Sequence, residues 1–222
     1  MVYKAAIFDL DGTLINSLQD LAESANAVLH AYGFPVHKLD AYRYFVGNGM
    51  KKLMERCLPQ KEASDDAFVT KAVEHCREIY DAHILDHTEP YDGIPLMLER
   101  LQAMEIPMGI CTNKPQTAAE SIVASLFPQG FFRVVVGDRT GTPRKPDPAK
   151  VLQMAADFQI APEEIAYFGD SGVDMDTARN GRLLPVGVLW GFRPKEELVA
   201  HGAKILLATP EELLEKVHFA ME

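Results

Sequence analysis

Short apolar runs and amphipathic helical segments alternate along the second half of the chain. Runs typical of buried strands lie at 107–112, 131–137, 165–170, 184–189 and 204–208. Between and after them, apolar residues recur at helical spacing at 94–104, 117–126, 149–158, 175–181, 195–200 and 211–219. This alternation is typical of strand–helix units, which form a parallel sheet with helices on both faces.

The first strand is separated from these units by a long helical stretch. Residues 4–9 form an apolar run that ends in an acid and is followed by Gly12, which predicts a buried strand and a turn. Helical spacing then occupies segments at 17–32, 39–46, 50–58 and 65–85. The pattern predicts a doubly wound, Rossmann-like α/β domain of residues 1–15 and 88–222, with an all-helical domain inserted at residues 16–87.

Composition changes this picture only through charge. Of the 222 residues, 47% are hydrophobic and 24% are charged, as in an ordinary globular protein. The 22 Lys and Arg against 32 Asp and Glu leave a net charge of -10 without a basic cluster, which argues against a nucleic-acid partner. An anionic substrate would therefore need a few local positive charges or a metal for its capture.

The sequence also indicates a compartment. The longest uncharged stretch near the C-terminal end, 183–192, is too short for a membrane helix, and the first residues do not have the pattern of a secretory signal. Cys57, Cys76 and Cys111 are widely spaced and odd in number, which favours reduced thiols. We expect a cytoplasmic monomer or homodimer without a membrane partner.

Acidic residues follow the predicted strands at the edge where parallel sheets bind ligands. Asp9 and Asp11 follow the first strand, and Asp170 ends the run at 165–170. Their repulsion in one crevice calls for a cation, and a donor set of oxygens suits Mg²⁺. Asp174 lies four residues beyond Asp170 at the start of a helix, where it could orient the metal or its waters.

The same edge permits phosphoryl transfer. One of two neighbouring carboxylates can attack phosphorus to form an aspartyl-phosphate, while the second protonates the leaving oxygen and later deprotonates water. Thr112, the backbone near Gly12 and Asn113, and the charge of Lys145 can hold phosphate oxygens. The expected partner is a small phosphorylated metabolite.

Four segments together resemble the ordered motifs of the haloacid dehalogenase superfamily. They are Asp9–Leu14 (DLDGTL), Cys111–Lys114 (CTNK), Lys145–Pro148 (KPDP) and Gly169–Asp174 (GDSGVD). The resemblance implies a Mg²⁺-dependent phosphatase whose core extends from residue 4 to about residue 190.

By that resemblance, each motif residue has an expected role. Asp9 is the nucleophile and Asp11 the general acid and base. Phosphate is held by Thr112, Asn113 and Lys145. The expected metal site consists of Asp9, Asp11, Asp170 and Asp174, with Asp174 as an accessory acid.

The inserted helices resemble the small cap that closes over the active site in one branch of the superfamily. Val46–Gly49 (VGNG) and Trp190–Arg193 (WGFR) resemble segments of the phosphoglycolate phosphatases in that branch, which implies 2-phosphoglycolate as substrate. Two departures from the motifs, Asn16 and Asn180, concern the substrate rather than the chemistry.

Residues beside the glycine pair of the insert are candidates for substrate recognition. The candidates are Arg43, Asn48 and Lys51, which could contact a substrate carboxylate. A flexible turn between two helices would equally account for the glycine pair.

Other functions stay open. A pyrophosphatase or a sugar phosphomutase of the same branch needs the same acids. A non-catalytic, phospho-accepting regulator also uses clustered acids, a Thr and a Lys, although the long insert and the acid/base at Asp11 argue against it. A hydrolytic dehalogenase is disfavoured because carbon–halogen displacement needs neither a metal nor an acid at Asp11.

Overall fold

The computed structural model describes residues 2–220, which divide into two compact units. One unit consists of residues 16–89, and the other consists of the chain segments before and after it. Within the described residues, each helix is too short or too polar to span a lipid bilayer.

Eight strands are formed, six of them in one sheet within the described chain. They are β1 (Ala5–Phe8), β2 (Ile15–Asn16), β3 (Glu89–Pro90), β4 (Met108–Pro115), β5 (Val134–Asp138), β6 (Ile165–Gly169), β7 (Leu184–Val188) and β8 (Ile205–Leu207). The six-stranded sheet has the order β5-β4-β1-β6-β7-β8, and each neighbouring pair is parallel. The predicted doubly wound α/β fold is confirmed.

The strand order determines which loops lie at the ligand-binding edge of the sheet. From β1 the sheet grows in one direction through β4 and in the other through β6, so the chain reverses its winding at β1. Ligands in such sheets bind at the carboxyl ends beside this reversal. On the same strands, Phe8 stacks on Phe168 with ring centroids 4.8 Å apart, which fixes β1 against β6.

The helical unit contains five helices. They are α1 (Leu18–Ala31), α2 (Leu39–Phe45), α3 (Met50–Cys57), α4 (Gln60–Ala63) and α5 (Asp66–Ala82). Helix α5 begins at an N-cap, where the Asp65 carboxylate accepts hydrogen bonds from two backbone N–H groups. It ends at Ala82 and not near residue 85 as predicted, because a turn follows in which the His83 ring bonds the carboxylate of Asp86 at 2.8 Å.

The helices of the α/β unit are α6 (Ile94–Ala103), α7 (Gln116–Leu126), α8 (Ala149–Phe158), α9 (Gly172–Asn180), α10 (Lys195–Ala200) and α11 (Leu213–Lys216). Helix α9 begins three residues before the predicted start at 175, because Ser171 and Asp174 form a capping box. The helix predicted at 211–219 is wrong in extent: after a 3-10 turn, α11 covers a single turn, and Phe219 then forms a bridge with Tyr3.

Strand β4 continues three residues beyond its predicted end at Thr112. It pairs with β5 at Cys111 and again at Pro115, with an irregularity between these positions. The segment Thr112–Lys114 therefore belongs to the strand itself, and its side chains are buried.

Candidate active site

Three of the four acids predicted as metal ligands meet at the carboxyl edge of the sheet. Asp9 follows β1, Asp170 follows β6, and Asp174 lies in the first turn of α9. One carboxylate oxygen of each residue lies within 4.8 Å of the others, and all three residues are buried. The structure therefore contains a compact acidic cluster made entirely of oxygen donors.

This cluster is electrostatically unfavourable by itself. Burial raises the pKa of Asp9 from 3.8 to about 7, although the ammonium of Lys145 acts in the opposite direction. Burial, together with the charges of Asp174 and Asp9, also raises the pKa of Asp170 well above its usual value. A hydrogen bond of 2.7 Å from the backbone N–H of Phe192 relieves Asp170 only in part.

The Lys145 side chain provides the positive charge within this cluster. Its Nζ atom lies 2.9 Å from Asp9 Oδ1, 2.7 Å from Asp174 Oδ1 and 3.1 Å from the Tyr167 hydroxyl. Burial would lower the pKa of Lys145, but the carboxylates of Asp174 and Asp9 raise it well above 10.5. Lys145 is therefore a permanently charged group at the buried end of the site.

Asp11 lies apart from the three-acid cluster and forms an ion pair with Lys114. Its two carboxylate oxygens are 2.8 and 3.1 Å from the Nζ atom of Lys114, a buried residue. Sequence reasoning missed Lys114 as a site residue. The available signal was its place in the CTNK motif, directly after the predicted phosphate holders.

A tight turn gives Asp9 and Asp11 their different directions. The backbone N–H groups of Leu14 and Ile15 both donate to the carbonyl of Leu10, which reverses the chain. Gly12 adopts a φ of +82°, and a Cβ atom there would lie 2.4 Å from Asp170 Oδ2. Glycine is therefore required both for the left-handed backbone and for the close approach of Asp170.

The predicted phosphate holders connect two loops of the site. The Thr112 hydroxyl accepts a hydrogen bond of 3.2 Å from the backbone N–H of Lys114. The side-chain amide of Asn113 bonds both the N–H and the carbonyl of Lys145, at 3.0 and 3.3 Å. The Asn180 side chain donates to the carbonyl of Pro146, the residue after Lys145, at 2.9 Å. The two asparagine side chains thus fix the backbone on which Lys145 is placed.

The loop after β7 braces the two acidic loops. The Trp190 indole N–H donates to the carbonyl of Thr13 at 2.9 Å, and the backbone of Phe192 binds Asp170 as described above. At Gly191 a Cβ atom would lie 2.2 Å from the Cβ of Asp170 and 2.4 Å from the carbonyl oxygen of Gly12. The WGFR segment therefore has a physical role that its residue types did not reveal.

The three candidates in the helical unit have different environments. Arg43 is half-exposed, with the Asp40 carboxylate 3.9 Å away. The Asn48 side chain accepts a hydrogen bond of 2.8 Å from Arg56, and Lys51 forms an ion pair with Asp66. Arg56, which sequence reasoning missed, also donates to the carbonyl of Phe45 at 2.8 Å and so fixes the turn before α3.

Comparison with known proteins identifies relatives over almost the whole chain. Residues 6–188 match the family model of the haloacid dehalogenase-like hydrolases. The chain is 32% identical to a phosphoglycolate phosphatase of Thiobacillus denitrificans over 200 residues, which cover 88% of each protein. It is 31% identical to a phosphoglycolate phosphatase of Xanthomonas campestris over 214 residues, covering 96% of this chain and 95% of that protein.

Solved structures agree with these relatives. A crystal structure described as a predicted phosphoglycolate phosphatase from Haemophilus somnus superposes with a TM-score of 0.88 at 25% identity, covering 96% of this chain and 97% of the other. A haloacid dehalogenase-like hydrolase from Streptococcus pneumoniae superposes with a TM-score of 0.86 at 26% identity, covering 96% and 97%.

Proposed function

This chain belongs to the haloacid dehalogenase-like hydrolases and is a phosphatase, and we propose that it hydrolyses 2-phosphoglycolate with Mg²⁺ through an aspartyl-phosphate. The observation that carries the proposal is the buried cluster of Asp9, Asp170 and Asp174 around the ammonium of Lys145. Relatives named phosphoglycolate phosphatase, at 31 to 32% identity, support the choice of substrate.

The donor chemistry of the cluster fits Mg²⁺. Asp9 and Asp170 are buried carboxylates whose pKa values are raised, so both would gain from a divalent cation that stabilises their charged forms. Asp174 accepts hydrogen bonds from the Ser171 hydroxyl at 2.6 Å and from Lys145, so we assign it to holding these groups beside the metal. When bound, Mg²⁺ would supply positive charge to the phosphoryl oxygens.

The protein groups would then divide the reaction into two steps. The Asp9 carboxylate attacks phosphorus and the ester bond breaks, while Asp11 gives a proton to the departing oxygen. Asp11 next takes a proton from water, which attacks the phosphoryl group and restores Asp9. Lys145 and Thr112 hold phosphoryl oxygens throughout, and Lys114 orients Asp11 through its two contacts.

The first experiment measures phosphate release from a panel of phosphate esters with excess Mg²⁺ and, in parallel, with EDTA. We expect 2-phosphoglycolate to have the highest kcat/KM and EDTA to abolish release. Pyrophosphate as the best substrate, or phosphate retained on an isomerised sugar, would favour the pyrophosphatase or the mutase. Stoichiometric phosphorylation of the protein without turnover would indicate the regulator.

The role of Asp11 is tested by varying the leaving group. Asp11→Asn should lower kcat/KM for 2-phosphoglycolate by about 10²- to 10⁴-fold, because an alkoxide leaves poorly without a proton. The loss for p-nitrophenyl phosphate should be much smaller, since its leaving group needs no proton. Equal losses for the two substrates would contradict the acid/base assignment.

Recognition of the substrate carboxylate is proposed for Arg43, Asn48 and Lys51. Arg43→Ala should raise KM for 2-phosphoglycolate and leave KM for ethyl phosphate, which lacks the carboxylate, unchanged. Lys52→Ala is the matched control, because Lys52 is a half-exposed cation of the same unit that pairs with Glu55. A rise in KM for both esters would show that Arg43 does not recognise the carboxylate.

A further inference from the structure

A buried tyrosine connects the parts of the site that are proposed to hold phosphate. Tyr167 lies on β6, the strand that runs to Asp170, and its side chain is fully buried. Its hydroxyl is 3.1 Å from Lys145 Nζ, 3.0 Å from the carbonyl oxygen of Cys111 and 3.3 Å from Asp174 Oδ1. These contacts reach three of the four motif segments. The proposed mechanism assigns no role to Tyr167 or to its three contacts.

The contact between the Tyr167 hydroxyl and Lys145 is important because the ammonium group has few hydrogen-bond donors. An ammonium group has three N–H donors. Among the described residues, Lys145 Nζ donates hydrogen bonds to Asp174 and Tyr167 and forms an ion pair with Asp9 Oδ1 at 2.9 Å, which leaves its third N–H available to a phosphoryl oxygen. Tyr167 is the one neutral partner of the three.

The Tyr167 hydroxyl is itself held in place. The shorter of its two donor contacts is to the Cys111 carbonyl at 3.0 Å, directly before Thr112, the other being to Asp174 Oδ1 at 3.3 Å, and its oxygen accepts the hydrogen bond from Lys145. Burial raises the pKa of Tyr167 well above 10, which keeps the hydroxyl protonated as this geometry requires. The oxygen atom therefore links the backbone of β4 to the Lys145 ammonium.

We propose that Tyr167 is a positioning residue whose hydroxyl holds the Lys145 ammonium at a set place relative to the end of β4. The inference rests on the proposed role of Lys145 as a phosphate holder. During the proposed reaction the Asp9 carboxylate is phosphorylated and then released by hydrolysis, so its attraction for Lys145 changes. The hydroxyl carries no charge and keeps the same contact in every step.

The main test is Tyr167→Phe, which removes the hydroxyl and retains the ring. Phosphate release with excess Mg²⁺ should show a fall in kcat of about tenfold and a change in KM of less than about threefold, because a shifted ammonium impairs orientation more than binding. Tyr42→Phe is the control, since the buried Tyr42 hydroxyl donates to Asn26 at 2.8 Å in the helical unit. It should lower thermal stability similarly and leave kcat unchanged.

A double-mutant cycle shows whether Tyr167 acts through Lys145. In a Lys145→Met background, adding Tyr167→Phe should not reduce kcat further, because the hydroxyl has no ammonium left to place. Independent, multiplying losses would overturn the inference, as would a Tyr167→Phe enzyme with the kcat of wild type. Wild-type protein without phosphatase activity would instead overturn the proposed function.

A measurement on the wild-type protein applies even if Tyr167→Phe does not fold. Nitrogen-15 NMR of the lysine ammonium groups should show a slowly exchanging signal at neutral pH that is absent from Lys145→Met. Rapid exchange of the Lys145 protons would contradict an ammonium held by three partners.

Discussion

The α/β unit buries six charged side chains among the described residues, whereas the helical unit buries one, that of Asp20. In the helical unit, the Asp20 carboxylate accepts hydrogen bonds from the His87 N–H at 3.0 Å and from the Thr88 hydroxyl at 2.6 Å. Both donors are neutral. The six of the α/β unit are Asp9, Lys114, Lys145, Lys150, Asp170 and Asp174.

The difference separates a structural role for the buried charge of Asp20 from a chemical role for the buried acids at the sheet edge. Asp20 joins the first helix of its unit to the last segment of that unit, which is a structural task that a satisfied carboxylate performs well. At the sheet edge, acids face acids and their pKa values rise, which lowers the stability of the metal-free protein. Such an arrangement is expected where chemistry requires it.

The largest effect on this contrast between the two units is expected from removal of the proposed nucleophile. Asp9→Ala should reduce kcat by at least about 10⁴-fold, because the proposed phosphoryl-enzyme forms on the Asp9 carboxylate. Circular dichroism and thermal unfolding should show an intact fold. Near-normal phosphate release would exclude Asp9 as the nucleophile.

The next effect concerns the brace behind Asp170. Gly191→Ala places a methyl group against Asp170 and the Gly12 carbonyl, so the two acidic loops must separate. A displacement of this size should reduce kcat/KM by about 10²-fold. Gly130→Ala is the control, because its Cβ meets no atom within 4 Å; Gly130 has a φ of +94°, so this variant carries backbone strain without a steric clash. Equal activity in the two variants would show that the brace is dispensable.

A third variant tests the structural role of the buried charge in the helical unit. Asp20→Ala should lower the free energy of unfolding by about 2 kcal/mol, because the His87 N–H and the Thr88 hydroxyl lose a charged acceptor. Urea unfolding measures this loss, and kcat of the folded variant should stay within about twofold of wild type. A large loss of kcat with unchanged stability would reverse the roles assigned to the two units.

The smallest expected effect is a dependence on pH. The pKa of Asp9 is raised from 3.8 to about 7, so between these values the folded state keeps a proton that the unfolded state has released. Stability therefore falls as the pH rises through this window. In EDTA, Asp9→Asn should gain stability over wild type by about 1 kcal/mol between about pH 6 and about pH 7.

Added Mg²⁺ supplies the control for this measurement. It should stabilise wild type more at the higher pH, where Asp9 is ionised, and should stabilise Asp9→Asn less. A difference between the two proteins that does not change with pH would contradict the raised pKa.

Much of the fold could be predicted because strand and helix periodicities differ clearly in this chain. The predicted bounds of α8 and α10 agree with the structure, since their apolar stripes begin and end at prolines or left-handed turns. Interactions specific to a loop decided the errors. The capping box of Ser171 and Asp174 starts α9 early, and the additional pairing with β5 lengthens β4.

The candidate site could be predicted only in part, for a related physical reason. Asp9 and Asp170 could be identified because each directly follows a predicted strand. The carboxyl ends of parallel strands meet at one edge of the sheet, so acids that follow these strands lie close together. The partner of a buried side chain inside a strand depends on the tertiary fold, so Lys114 and Tyr167 were not identified. The ion pair of Lys51 was equally unforeseen, as its partner Asp66 lies on another helix.

The hydrogen bond from Trp190 to the Thr13 carbonyl also makes the chain its own optical probe. Trp190 is the single tryptophan of the protein, so intrinsic emission excited selectively in indole arises from one position. That indole is bonded to the loop that carries Asp9 and Asp11. Its emission spectrum and quenching should therefore follow ordering of this loop in real time, without an attached dye.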